Sequence, residues 1–230
     1  MEQRPRDQVV ELLSTRSVLK QDIYARIKET FALVKELLQE MTGDLQQEMA
    51  QRDDRVPITY TDRGELACEV RIAGDIIIFQ MHTNIFLLDD SHSLWKGSYL
   101  EEDPSRGYFG VINMYNFLND SFKYKRERDL GYLVSRLFVN KEGHFFMQGK
   151  RQLGFLFNDL ANATLDKCRL EHALWSVLGY VIDFDLLAPP YDRVDQVTVM
   201  EMNEFSANMQ PSTGKRLGFQ FQVDTGEVSG

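Results

Sequence analysis

Between Ile27 and Leu45 apolar side chains return in steps of four and three: Ile27, Phe31, Val34, Leu38, Met41 and Leu45. At about 3.6 residues per turn those positions fall in one stripe, which predicts a helix. Leu12, Leu13 and Ile23 extend the apolar surface upstream, so the helix is expected over about 6–51. A bend is expected near 14–17, where Ser17 is suited to cap a second start, and Gly43 marks a weak point or an end. A seam about three heptads long can lie on the chain's own sheet or pair with a second copy. Self-association through Ile27, Phe31, Val34, Leu38, Met41 and Leu45 is therefore one expectation, and packing in cis is the other.

The period then changes from helical to alternating. Leu66, Cys68, Val70 and Ile72 share one side, and Glu65, Ala67, Glu69 and Arg71 the other, the mark of a half-buried antiparallel strand. Ala73-Gly74 reads as a tight turn, and a longer strand opens at Asp75 and is expected to reach about Leu88. Further strands are expected over 94–99, 108–115 and 122–126, and then in a hairpin of 130–139 with 143–149. The hairpin turn, Asn140–Gly143, has glycine where a left-handed backbone is often needed. A second helix over about 162–185 presents Leu170, Ala173, Leu174, Val177, Leu178 and Val181, and Pro189-Pro190 stops it. A strand at 197–202 follows, and the polar end 206–230 reads as a mobile tail with 217–221 as a further edge strand.

Consecutive strands joined by short turns favour an antiparallel meander. The expected fold class is α+β, an antiparallel sheet packed by a long N-terminal helix and a second long helix. The expected organisation is a helical arm over 1–52, a sheet domain over 53–205 and the tail over 206–230.

Composition narrows the function classes. With 230 residues, 43% of them hydrophobic and 11% aromatic, the chain can bury a substantial core. A net charge of −9 argues against a general nucleic-acid binder, which needs a surplus of Lys and Arg. No apolar run is long enough for a membrane span and no secretory leader is visible. Two cysteines a hundred residues apart make neither a disulfide framework nor a metal site, so a reduced cytoplasmic setting with buried thiols is expected.

Charge is distributed unevenly. Residues 121–151 hold eight cations (Lys123, Lys125, Arg126, Arg128, Arg136, Lys141, Lys150, Arg151) against three anions (Glu127, Asp129, Glu142), which is +5 and leaves −14 for the remainder. If 122–126 is a strand, Lys123 and Lys125 share one side, and Arg136 on the next strand can join them. Lys123, Tyr124, Lys125, Arg126 and Arg136 are then the candidate site for a small anionic or phosphorylated ligand, cations beside aromatic rings being suited to it. The competing reading is a solvated sheet face whose cations pair with acidic neighbours.

Two other constellations carry chemistry. The histidines are not spaced as a zinc pair, but His82 alternates with Gln80 and Asn84, a polar trio able to line a pocket for a small apolar ligand. Asn113 and Asn116 raise the same possibility of a polar-lined cavity. The hairpin brings Asp129 towards Gln148 and Lys150. An acid opening one strand, with an acid-x-Lys pair on its partner, resembles the PD-(D/E)xK nucleases, and that resemblance implies carboxylates holding Mg²⁺ and a lysine positioning water. Gln148 stands where that family has an acid. No phosphate loop, nucleophile elbow, dinucleotide fingerprint or cofactor motif is present. The preferred reading is a non-enzymatic binding or interaction module with no cofactor or metal, and the phosphodiesterase and the apolar-ligand pocket are its alternatives.

Overall fold

Pro5 opens the first helix at a position where its missing N–H costs nothing, and the chain then stays helical almost to the first strand. The computed structural model describes residues 4–186, 191, 195–200 and 202. Helix α1 runs Pro5–Leu12, a π-helical turn occupies Leu13–Ser17, and α2 runs Val18–Arg52. The π turn falls where the bend was expected. Ser17 makes no side-chain cap, because its backbone is already helical at φ −74°. Gly43 does not end the helix, which continues through it to Arg52.

The seam is used within the chain. Ile27, Phe31, Val34, Leu38 and Met41 are buried in the same core as the sheet, and Leu45 packs at its edge. Of the two readings of this stripe, packing in cis is the one observed, and these six residues present no free face to a second copy.

Seven strands form one antiparallel sheet. They are β1 (Ile58–Asp62), β2 (Ala67–Ile72), β3 (Asp75–Met81), β4 (Phe86–Leu87), β5 (Tyr108–Leu118), β6 (Tyr132–Asn140) and β7 (Phe145–Gly149). Their order is β1-β2-β3-β5-β6-β7, and β4 pairs with the start of β5. The alternation read in 66–72 holds: Cys68, Val70 and Ile72 are buried against α2. Burial pushes the Cys68 thiol up to about 12, so it packs as a small hydrophobe, whereas Cys168 is exposed, contrary to the expectation for both thiols. Ala73 and Gly143 take the left-handed backbone at the two hairpin turns. No helix among the described residues is long and apolar enough to cross a membrane.

Four expected elements are corrected. Residues 94–99 are not a strand: a 3-10 turn at Ser93–Lys96 and helix α3 (Ser98–Glu102) stand there, the first capped by the His92 ring, which accepts from the Leu94 N–H. Residues 122–126 are not a strand either. Helix α4 (Asn119–Lys123) ends in a turn where Ser121 and Phe122 carbonyls accept from Arg126 and Lys125 N–H groups and Lys125 adopts φ 51°. The strand from Asp75 stops at Met81 rather than Leu88 and resumes only at β4. Around Val199 the chain is helical, with the Met202 N–H on the Thr198 carbonyl, so the strand at 197–202 is overturned. The second helix, α5, is Lys167–Ile182, shorter than 162–185 because the Asp166 carboxylate caps its start on the Arg169 N–H. The tail at 206–230 and its strand at 217–221 lie outside the described residues.

Candidate functional site

The two faces of the sheet are covered differently, and the difference makes the site. Ile112, Met114, Leu137, Val139, Phe145 and Met147 point to the face packed by α2 and α5. Phe109, Val111, Phe138 and Phe146 point the other way, into a smaller cluster closed by Leu88, Leu100 and Leu160. Phe138 stacks on Phe146 at 4.6 Å, and Phe109 meets both edge-on. This cover comes from residues 88–107 together with Leu160 and reaches only one end of the face. Beyond its margin the face opens into a cleft of about 380 Å³, within the size range of small-ligand sites.

The cover is held by polar latches to the β6–β7 turn. Lys141 donates to Asp103 at 2.5 Å and to Ser105 at 2.6 Å, and Arg106 pairs with Glu142 at 3.0 Å. Asn140, fully buried, donates to the Tyr99 hydroxyl at 2.9 Å and accepts the Glu142 and His144 N–H groups. Hydrogen bonds from Lys141 and Ser105 hold the Asp103 carboxyl down at about 2, from 3.8. The latch therefore contributes fully above pH 3.8 and is lost as pH falls through about 2. Asp103→Asn is expected to destabilise the protein by about 1 kcal/mol at neutral pH, solvent screening included, and by progressively less towards pH 2. Melting curves of the two proteins across that range check it.

Floor and wall of the cleft come from strands distant in sequence. Arg136 on β6 stands opposite Asn113 on β5 and Gln148 on β7. Its guanidinium lies 5.3 Å over the Phe138 ring and donates to the Gln148 side-chain carbonyl. Asn113, Tyr115, Leu133 and Val111 complete the floor, and His82, Phe86, Leu88 and His92 form the wall. Both histidines are wired alike. His82 Nδ1 accepts the Asn84 N–H at 3.0 Å, and His92 Nδ1 accepts the Leu94 N–H at 3.3 Å. An imidazole whose Nδ1 accepts carries its proton on Nε2, so each ring offers a donor there. His92 Nε2 lies 3.5 Å from the Gln148 amide nitrogen, itself a donor because its oxygen is taken by Arg136. The His92 Nε2–H and the Gln148 amide N–H thus face each other with no acceptor between them, beside the Arg136 guanidinium. The nearby Asp89 carboxylate is engaged by Ser91, whose hydroxyl and N–H hold it below the usual carboxylate range.

The sequence-derived candidates are redistributed. Arg136 and His82, read as parts of separate sites, meet in one cleft. Gln80 stands opposite Asn113 on the cleft side of β3, and Asn84 acts through its backbone on His82. Lys123, Tyr124, Lys125 and Arg126 lie in α4 and the turn after it, off the strand that carries Arg136. Lys123 sits 4.9 Å over the Tyr124 ring, and Arg126 pairs with Asp129 at 3.2 Å. Asn116 belongs to the opposite face, where it is fully buried and donates to Tyr132 and Asp75.

The nuclease constellation is not assembled. Asp129 precedes β6 and accepts from Ser121 at 2.7 Å, while Gln148 is opposite Arg136. Along a strand rising about 3.3 Å per residue, Arg136 and Tyr132 are already about 13 Å apart. Among the described residues no group of three or more His, Cys, Asp or Glu is placed to hold a metal. His92, Phe109, Tyr115, Leu133 and Phe138 were not foreseen as site residues, since only strand register and the loop path bring them together. No family model matches this chain, and neither curated proteins nor solved structures yield a match.

Proposed function

We propose that the chain is a binding module whose open sheet face takes a small amphipathic anion. The carboxylate, sulfonate or phosphate of such a ligand accepts from Arg136, Gln148 and the His92 Nε2–H. Its apolar body lies on Leu133 and Phe86, with Val111 and the Phe138 ring behind them. The observation that carries this reading is the donor convergence: His92 and Gln148 present N–H groups to each other at 3.5 Å beside a guanidinium. An acceptor placed among them supplies the missing partner, and charge-assisted hydrogen bonds of this kind contribute about 1.5–3 kcal/mol each. The surrounding rings supply the apolar part of the binding surface.

The test uses an anilinonaphthalene sulfonate dye as the probe, with decanoate and decanol as competitors. The dye is expected to bind, and decanoate to displace it while decanol does not. Arg136→Met is expected to weaken binding at least tenfold, about 1.4 kcal/mol, with little change in melting temperature. Displacement by the alcohol as readily as by the acid, or an affinity unchanged by Arg136→Met, rejects the reading.

A further inference from the structure

The two edges of the sheet are treated differently. On the β7 side the Phe145 N–H donates to the Ala163 carbonyl at 3.0 Å and the Met147 N–H to the Phe157 carbonyl at 2.8 Å, so that edge is closed. On the β1 side, the Ala73 N–H donates to the Pro57 carbonyl and the Arg63 N–H to the Ala67 carbonyl. In an antiparallel pair bonded residues alternate, so Thr59 and Thr61 also face β2. Ile58, Tyr60 and Asp62 therefore turn their backbone N–H and C=O groups outward, and among the described residues nothing bonds those groups.

Such an edge is a template for another strand, and proteins usually blunt it with lysine, proline, a bulge or a covering segment. The sequence of β1, Ile-Thr-Tyr-Thr-Asp, instead favours extended backbone. It pairs with β2 without a register shift, and its one charge, Asp62, is held by Lys35 at 2.8 Å. The core is also unfinished on this side. Tyr60, and Val56 just before the strand, pack on it but are only partly buried.

The sequence holds a segment suited to both needs. Leu217, Phe219, Phe221 and Val223 alternate with Gly218, Gln220 and Gln222, the period of a strand with one apolar and one polar side. It is within reach. The Phe184 ring stands 5.9 Å from that of Tyr132 on β6. Tyr132, Asn116, Ile77, Val70 and Tyr60 are successive partners in one row across the sheet. Tyr60 is thus four strand spacings away, about 19 Å. The chain from Phe184 to Leu217 can extend to about 100 Å. A tethered strand acts at an effective concentration of about a millimolar, so at micromolar protein it outcompetes the β1 edge of a second copy.

We infer that the outer edge of β1 is a strand-docking site and that residues 217–223 of the same chain occupy it. Pairing satisfies the outward groups of Ile58, Tyr60 and Asp62. Turning Leu217, Phe219, Phe221 and Val223 towards α2 covers Tyr60 and Val56. The inference does not depend on the anion cleft.

Residue-resolved amide hydrogen exchange of the full chain tests this, at about 50 µM, far below the effective concentration of the tether. Without an added strand, protection along β1 alternates, with Thr59 and Thr61 slow and Tyr60 and Asp62 fast. With it, Tyr60 and Asp62 are expected to exchange at least about a hundredfold more slowly than free amides. Phe219→Pro with Gln220→Pro removes an N–H that faces β1 whichever way the strand runs. That variant is expected to restore fast exchange at Tyr60 and Asp62 and to leave Thr59 and Thr61 slow, which also shows that the sheet is intact. Phe219→Ser with Phe221→Ser, which removes the apolar side instead, is expected to do the same. Fast exchange at Tyr60 and Asp62 in the parent chain, or protection there that survives both variants, overturns the inference. So does protection lost on about tenfold dilution, which assigns the edge to a second copy.

Discussion

A chain carrying Phe31→Asp together with Leu38→Asp is expected not to fold. Phe31 is 2% exposed and Leu38 0%, and both belong to the core shared by α2, α5 and the sheet. Each substitution removes an apolar side chain worth about 3–5 kcal/mol and places a carboxylate where no cation waits. Lys35, the cation nearest Phe31 along this face, is already engaged by Asp62 at 2.8 Å and by the Gly64 carbonyl. A domain of this size has only about 5–15 kcal/mol to lose, so the pair exceeds or exhausts it. Circular dichroism and melting are the measurements. A folded monomer would mean instead that this seam lies between protomers, since a surface used only in a dimer tolerates charge once the dimer parts.

Why the helix and the sheet were readable from the chain, and the loop regions were not, follows from how each is stabilised. Ile27 to Leu45 is long and one-sided, so period alone identifies it. Residues 66–72 alternate because one face is buried and the other is not. Residues 94–99 and 122–126 are short and aromatic, a composition that suits strands, but local bonds decide them. The His92 ring caps one, and the carbonyls of Asp120, Ser121 and Phe122 wrap the other into a turn. Such bonds are made within a few residues and leave no period behind.

The site was visible only in fragments for a related reason. Arg136, His82 and Asn113 each stood out as polar or charged among apolar neighbours. What joined them was strand pairing, and Gln80 opposite Asn113, with Asn113 opposite Arg136, is a statement about register rather than composition. The summed charge of 121–151 misled for the converse reason. It added side chains that diverge in space: Lys141 goes to Asp103, Arg126 to Asp129, and Arg151 sits 3.8 Å from Asp183. Of the five residues grouped there, the cleft keeps Arg136.

Gly110 shows how tightly the packed face controls the open one. A Cβ at Gly110 would stand 2.6 Å from Ile27 Cβ and 2.9 Å from its Cγ1, so α2 crosses β5 at a distance only glycine allows. Both flanking residues, Phe109 and Val111, point to the other side and line the cleft. Any shift of β5 away from α2 therefore moves two cleft residues at once. Gly110→Val is expected to cost about 3 kcal/mol or more by overpacking and to abolish dye binding in whatever fraction still folds. Gly110→Ala is expected to cost less, and less again in an Ile27→Gly background, where the β- and γ-carbons that crowd the site are gone. Urea unfolding of the four proteins in that cycle, read beside dye affinity, measures the coupling. Additive costs would show that α2 and β5 are not in contact at this crossing, and unaltered dye affinity in Gly110→Val would detach the cleft from the core behind it.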